Sequence, residues 1–313
     1  MDIVKDIKNI AVIGAGMMGP GISLVFAEKG LNVILFDLCK EILPQAVNSV
    51  RTSLSQMAEN GIMAKEDIEP TILRVKTAES LEYAIKDADL VIEAVTEKLE
   101  LKQNLFRQMD SMCGPDVILA TNTSVISITE IASRSKNRSR ILGTHFWNPP
   151  HLIPLVEVIK ASDTSNHVMD RTVNLLTYVG KKPVRVKKDV PGFLANRLQH
   201  ALWREAISIV ENGIADAAEV DEAIKNSFGL RLPVLGPLEN ADLVGLDLTL
   251  AIHDYVLNNI EDSHYSSSLL KQKVESGELG IKTGKGFQEW SDERTADLKQ
   301  GLVDHLMKWA REH

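Results

Sequence analysis

The chain is predicted to fold as an α/β domain with a mainly parallel sheet, followed by an all-α C-terminal domain. Three features predict this. Short apolar runs alternate with helical patterns through the first half, as in a parallel sheet joined by crossover helices. A glycine-rich turn joins the first apolar run to the first helix. After VRVKKDVPGF the strand-like runs stop, and from Asn196 to His313 the pattern is almost entirely helical. That change sets the boundary at Lys188, giving a first domain of residues 1–188 and a second of 189–313. A chain of 313 residues is also long for a single core.

The elements follow in order. NIAVIG (Asn9–Gly14) is a short buried strand, and an apolar helix runs through GISLVFAEKG to Gly30. NVILFD is the second strand and ends in Asp37. A long helix begins near Glu41 and runs through SVRTSLSQMAENG. Strands are expected at ILRVK and ADLVIEAV, then a helix over LELKQNLFRQMDSM, a strand at VILATN and a helix over SITEIASRS. The strands ILGTHFWN and LIPLVEVI follow. In the second half LQHALWREAISIVENG is the longest amphipathic stretch.

Composition narrows the function classes. Hydrophobic residues make up 44% and charged residues 25%, ordinary values for a globular protein. A net charge of −8 argues against a nucleic-acid or anionic-membrane partner. No apolar run approaches the length of a membrane span. MDIVKDIKNIAVIG enters a strand almost at once, so no signal or transit peptide is expected. Cys39 and Cys113 are isolated and make no disulfide framework, which points to a reducing, cytoplasmic setting. The eight histidines form no HxxxH or HxH pair, so no metal site is expected.

Gly14-Ala15-Gly16-Met17-Met18-Gly19 is a GxGxxG turn directly after a strand and opening a helix, the context that a Rossmann domain requires. Gly14 makes the tight turn, Gly16 lets the backbone approach a pyrophosphate, and Gly19 lets helix and strand pack closely. The free N–H groups of the helix start, with Met17 and Met18, face the phosphates. Asp37 follows Gly19 by eighteen residues. A carboxylate there accepts bonds from the adenosine ribose and repels a 2′-phosphate, so the expected cofactor is NAD.

LIPLVEVI raises a separate question, because Glu157 sits inside an apolar strand. A buried carboxylate needs a charge partner or hydrogen bonds. The candidate is His145, twelve residues earlier at the end of another apolar run. On the strands alone, a catalytic dyad and a structural pair holding two strands together are equally open.

With these parts in place the chain resembles the L-3-hydroxyacyl-CoA dehydrogenase family, to about Trp290. The matching pieces are IGAGMMG, ADLVIEAVTEKLELK, ATNTS, HFWNPP, PLVEVI, VPGFLANR, GPLENADLVGLD and LGIKTGKGF. The resemblance implies a Rossmann domain followed by a helical domain that forms a homodimer, with catalysis in the cleft between domains. It implies that His145 is the general base and Glu157 its acidic partner. Ser124, in Asn122-Thr123-Ser124, corresponds to the serine near the substrate oxygen and nicotinamide, and Asn122 joins the cofactor set. Asn196 corresponds to a substrate contact from the second domain. Glu97 and Lys102 correspond to residues near the cofactor ribose and nicotinamide, and Asn148 to an active-site asparagine near cofactor and substrate. His151 has no such counterpart and reads as a pocket-wall or surface residue.

Two departures bear on the substrate. LSQMAENGIMAKEDIEP carries Lys65 against Glu59, Glu66, Asp67 and Glu69, where acyl-CoA members resemble one another in lysine-rich segments. A CoA nucleotide tail meets little attraction there. Arg231 precedes GPLE and could clamp a carboxylate with its planar fork, or belong to a surface or interface ion pair. This arginine and the NPPxxIPLVE pattern resemble the small hydroxy-acid branch, with L-gulonate 3-dehydrogenase (lambda-crystallin), carnitine dehydrogenase and pyridine-carboxylate dehydrogenases. The expected activity is therefore NAD-dependent oxidation of an alcohol on a small 3-hydroxy-acid-like substrate. The alternatives are a short-chain L-3-hydroxyacyl-CoA dehydrogenase and a non-catalytic dinucleotide-binding protein.

Overall fold

A computed structural model describes residues 7–312. The expected absence of a leader peptide concerns a segment whose positions 1–6 lie outside the described residues. The chain divides into two compact units. One holds the described residues up to Ala195 together with those from Leu302 onward, and the other holds Asn196–Gly301.

The first unit is built on an eight-stranded sheet. Its strands are β1 (Asn9–Ile13), β2 (Asn32–Phe36), β3 (Val75–Ala78), β4 (Leu90–Glu93), β5 (Ile118–Thr121), β6 (Ile141–Phe146), β7 (Leu155–Ile159) and β8 (Lys182–Val186). They lie in the order β3-β2-β1-β4-β5-β6-β7-β8. Every neighbouring pair is parallel except β6 and β7, which run antiparallel. The helices of this unit are α1 (Gly19–Glu28), α2 (Leu43–Glu59), α3 (Ile68–Arg74), α4 (Leu81–Ile85), α5 (Leu99–Met112), α6 (Ile128–Ala132) and α7 (Asn166–Tyr178).

Side chains alternate across a strand, so each strand feeds two cores. Ile10 and Val12 of β1 join a core with Leu24 of α1, Leu54 of α2 and Leu175 of α7. Ala11 and Ile13 join a core on the opposite face with Ile85 of α4, Phe106 of α5 and Ile131 of α6. The near-continuous apolar strands of the sequence follow from burial on both faces.

One expected strand differs. Ile72, within ILRVK, belongs to α3, and only Val75 and Lys76 of that stretch enter β3. Ile68, Thr71 and Ile72 fall at helical spacing, and Thr71 and Ile72 are buried, so the helical face decides the local conformation. Two helices, α4 and α7, are not evident from the sequence pattern. In α7, Ser165 caps the helix by accepting from the Val168 N–H at 3.2 Å.

The second unit is helical. It contains most of α8 (Ala195–Glu211), then α9 (Ala217–Lys225), α10 (Pro237–Val244), α11 (Leu246–Val256), α12 (Ser268–Glu275) and the start of α13 (Asp292–Glu312). The later turns of α13 belong to the first unit, where Met307 is buried in the core. In the second unit Leu238, Leu243, Leu246, Leu250 and Tyr255 are all exposed. Among the described residues no helix is long and apolar enough to cross a membrane.

Candidate active site

Gly14 has φ +113°, and a Cβ there would lie 2.5 Å from the Ala94 carbonyl oxygen on the turn after β4. A Cβ on Gly19 would collide with the Gly14 carbonyl. Both positions therefore require glycine. Nothing lies within 4 Å of where a Cβ would stand on Gly16, so the turn keeps an open approach to its backbone. The Asp37 carboxylate closes the far side, accepting from the Ala15 N–H at 2.8 Å and the Cys39 N–H at 2.9 Å. This strand, turn, helix and acid fit the pyrophosphate and adenosine ribose of NAD. A cavity of about 400 Å³ adjoins the turn, and Gly16, Met17, Asn148 and His151 line it. Burial, aided by the charge of Lys181, pushes the His151 imidazole down to about 4. His151 is thus neutral at pH 7 and a pocket-wall residue, as its sequence suggests.

The parallel strands end in a polar row on one face of the sheet. Register places Ile13 beside Glu93, Glu93 beside Thr121, and Thr121 beside Gly143. His145 stands two residues further along β6, on the same face, directly opposite Glu157 of β7. Their Nδ1 and Oε2 atoms are 2.7 Å apart. The Trp147 indole N–H approaches the same oxygen at 3.4 Å. The other oxygen, Oε1, accepts from the backbone N–H groups of Leu194 at 2.8 Å and Ala195 at 3.0 Å, where α8 begins. Burial alone would raise the Glu157 carboxyl. The bonds from His145, Ala195 and Leu194 outweigh that and hold it below the usual carboxylate range.

VPGF has a local reason in this arrangement. Gly192 and Phe193 both take positive φ, 76° and 48°, a conformation unusual for a bulky residue. The turn seats the buried Phe193 ring 5.7 Å from the His145 ring and delivers the two N–H groups to Glu157.

The segment after β5 carries Asn122 and Ser124. The Asn122 side-chain oxygen accepts from the Phe146 N–H at 2.8 Å, which ties the segment to the residue after His145. Glu97 Oε1 accepts from the Thr123 hydroxyl, the Ser124 N–H at 3.0 Å and the Val125 N–H at 3.3 Å. Burial would raise the Glu97 carboxyl, but the Thr123 bond and the Lys102 charge keep it lowered. Lys102 is 1% exposed and bridges Glu97 at 3.2 Å and Glu93 at 2.6 Å. Its ammonium is thus engaged by two carboxylates. Sequence reasoning missed Glu93, although a carboxylate inside ADLVIEAV is the same signal that singled out Glu157.

Asn196 is the second residue of α8 and opens the helical unit. Arg231 is exposed and follows the single helical turn Phe228–Leu230. These two residues therefore belong to the second unit, while Ser124, Asn148, His145 and Glu157 belong to the first.

Residues 9–190 match the model of the 3-hydroxyacyl-CoA dehydrogenase NAD-binding domain, and residues 192–290 match that of the 3-hydroxyacyl-CoA dehydrogenase C-terminal domain. The chain belongs to the 3-hydroxyacyl-CoA dehydrogenase family. It is accordingly an NAD-dependent dehydrogenase acting on a CH–OH group, with a Rossmann domain followed by a helical C-terminal domain. A 5-formyl-3-hydroxy-2-methylpyridine 4-carboxylate 5-dehydrogenase from Mesorhizobium japonicum is 34% identical over 295 residues, covering 94% of each chain. A probable 3-hydroxybutyryl-CoA dehydrogenase from Bacillus subtilis is 37% identical over 92% of this chain and 99% of its own. Among solved structures, a pyridine-carboxylate 5-dehydrogenase described as an NAD+-dependent dismutase superposes with TM-score 0.89 at 32% identity, over 97% of this chain and 98% of that one. The (S)-3-hydroxybutyryl-CoA dehydrogenase of Ralstonia eutropha gives TM-score 0.77 at 35% identity, over 91% of this chain and 100% of its own. Family members of both substrate kinds are therefore similar to this chain.

Proposed function

We propose that the protein oxidises a secondary alcohol to a ketone, or reduces that ketone, on a small carboxylate-bearing substrate resembling a 3-hydroxy acid. The observation that carries the reading is the contact between His145 Nδ1 and Glu157. An imidazole donating through Nδ1 to a carboxylate has its basic lone pair on Nε2. His145 then accepts the substrate hydroxyl proton at Nε2, and Glu157 fixes the tautomer and stabilises the positive ring. Bound NAD supplies the hydride acceptor. Ser124, Asn148 and Asn196 orient the substrate oxygen, and Glu97 with Asn122 holds the segment beside the nicotinamide ribose.

Two observations favour a free carboxylate over a CoA ester. Arg51 of α2, a cation close to the acidic Glu59–Glu69 stretch, is engaged by Glu69 in a forked contact, with one bond at 3.3 Å. That leaves little positive charge for a nucleotide tail. The relative with TM-score 0.89 is named for a substrate with a carboxylate next to the position it oxidises. Arg231 is the proposed clamp for that carboxylate. The second reading, a short-chain 3-hydroxyacyl-CoA dehydrogenase, is favoured by relatives such as the B. subtilis protein at 37% identity.

Residues 1–188 are assigned to NAD and residues 189–313 to substrate and dimerisation, with the last turns of α13 packing in the first unit. The exposed leucines of α10 and α11 favour a homodimer, because such an apolar surface gains from being covered. Two free thiols, Cys39 and Cys113, suit a reducing cytoplasm.

The test is NADH absorbance with a panel of free hydroxy acids beside 3-hydroxybutyryl-CoA. Turnover of free acids with a poor rate on the thioester is expected. Efficient turnover of the thioester with none on free acids would give the second reading first place.

A further inference from the structure

Glu93 lies at the C-terminal end of β4 and is fully buried. Oε1 accepts from Lys102 Nζ at 2.6 Å and from the Val95 N–H at 2.7 Å, and Oε2 accepts from the Thr121 hydroxyl at 2.6 Å. Thr121 Oγ1 in turn accepts from the Thr123 N–H at 3.2 Å. One buried ammonium is therefore shared between a buried carboxylate, Glu93, and a half-exposed one, Glu97, that grips the backbone of Ser124 and Val125.

The arrangement asks for an explanation beyond packing. A buried ion pair is weak support for stability, since an apolar pair of similar volume serves a core as well or better. What the pair does achieve is to fix a four-carbon lysine stem whose free end would otherwise wander. Held by Glu93, Lys102 presents its ammonium to Glu97 at 3.2 Å, and Glu97 then has one orientation in which to receive the Ser124 and Val125 N–H groups. A second path, Glu93 to Thr121 to the Thr123 N–H, reaches the same segment from its other end.

We propose that Glu93 is a positioning residue for the nicotinamide end of the site: through Lys102, Glu97 and Thr121 it fixes the Asn122–Val125 segment that carries Ser124. The proposal rests on the reading of Ser124 as the residue beside substrate and nicotinamide. Glu93 itself touches neither.

The test compares Glu93→Gln with the wild type in three readouts. Gln is isosteric and can still bond to Thr121 and Val95, but it removes the charge that holds Lys102. In the protein without cofactor, hydrogen exchange at the Ser124 and Val125 amides should quicken about tenfold or more, while Ile118–Ala120 of β5 keep their protection. NADH should bind within about threefold of wild type, because Asp37 and the glycine turn are untouched, but the emission gain of its bound nicotinamide should fall. The kcat should drop, by up to about 10²-fold, the scale of a displaced positioning group, at unchanged substrate KM. Lys102→Met should quicken exchange at the same two amides from the other end of the link, with NADH affinity left out of the comparison because the family resemblance places Lys102 beside the cofactor. Exchange that rises equally along β4 and β5, with wild-type kcat and wild-type NADH emission, would overturn the proposal and leave Glu93 a core residue. Ser124→Ala separates the premise from the proposal. If it keeps wild-type kcat, the reading of Ser124 fails, while the amide exchange still decides whether Glu93 holds the segment.

Discussion

Glu93 and Glu157 are the same residue type in the same setting with different partners. Each sits in a buried strand, on the same face of the sheet, with both carboxylate oxygens hydrogen-bonded. Glu93 is answered by a lysine on the following helix, and Glu157 by a histidine on the neighbouring strand. A lysine paired with a carboxylate can hold a segment in place through hydrogen bonds and charge. A histidine whose ring is fixed by a carboxylate can also act as a base, the role proposed for His145. On the proposed readings, the partner, more than the carboxylate, separates the pair that positions from the pair that reacts.

That contrast can be broken at several places. Replacing the reactive pair should cost most. His145→Gln should lower kcat by about 10²–10⁴-fold, the usual worth of a general base, with NADH binding intact by fluorescence titration. Near-wild-type turnover in that variant would remove the reason to treat the two pairs differently. Next comes Arg231→Ala, which should raise KM for a free-acid substrate about tenfold or more and leave KM for NAD unchanged. Arg231→Lys should recover only part, since a point charge lacks the planar fork. A weakened dimer as the only defect, seen by sedimentation, would move Arg231 to an interface.

A smaller effect is expected at Asp37. Asp37→Ala should erode the preference for NAD over NADP, read as the ratio of kcat/KM values for the two cofactors. A wild type that already prefers NADP would contradict the reading of Asp37.

The smallest effect concerns stability at low pH. The folded Glu157 carboxyl is held below its ordinary value of 4.5. A depressed carboxylate contributes stability that is present above the unfolded value and lost as pH falls through the folded one. Thermal unfolding from pH 6 to pH 3 should therefore show wild type losing more Tm below about 4.5 than Glu157→Gln does. Parallel curves would mean that Glu157 gains nothing from its partners.

Much of this was legible in the sequence, and the limits have physical causes. GxGxxG followed by Asp37 could be read because the turn and the acid are local and their spacing is set by one strand and one helix. The His145–Glu157 pair was legible because an antiparallel neighbour brings two residues of one short segment together. Glu93 was not read, although ADLVIEAV shows a carboxylate among apolar residues as plainly as LVEVI does. Its partner lies beyond a turn, on a helix whose rotation about its axis decides whether Lys102 faces the sheet or solvent. ILRVK was misjudged because a β-rich stretch gives way to the helix that buries Ile72. The return of α13 to the first core could not be read from periodicity, since an amphipathic face does not say which core it covers.

The central claim is that His145 and Glu157 act as one catalytic unit, and a double-mutant cycle in kcat tests it most directly. The four proteins are wild type, His145→Gln, Glu157→Gln and the double variant, each assayed at saturating NAD and substrate. If Glu157 works through the imidazole, it has nothing left to act on once His145 is gone. The double variant should then match His145→Gln within about threefold. Losses that multiply, so that the double variant falls by the product of the two single effects, would show two independent contributions and contradict the dyad.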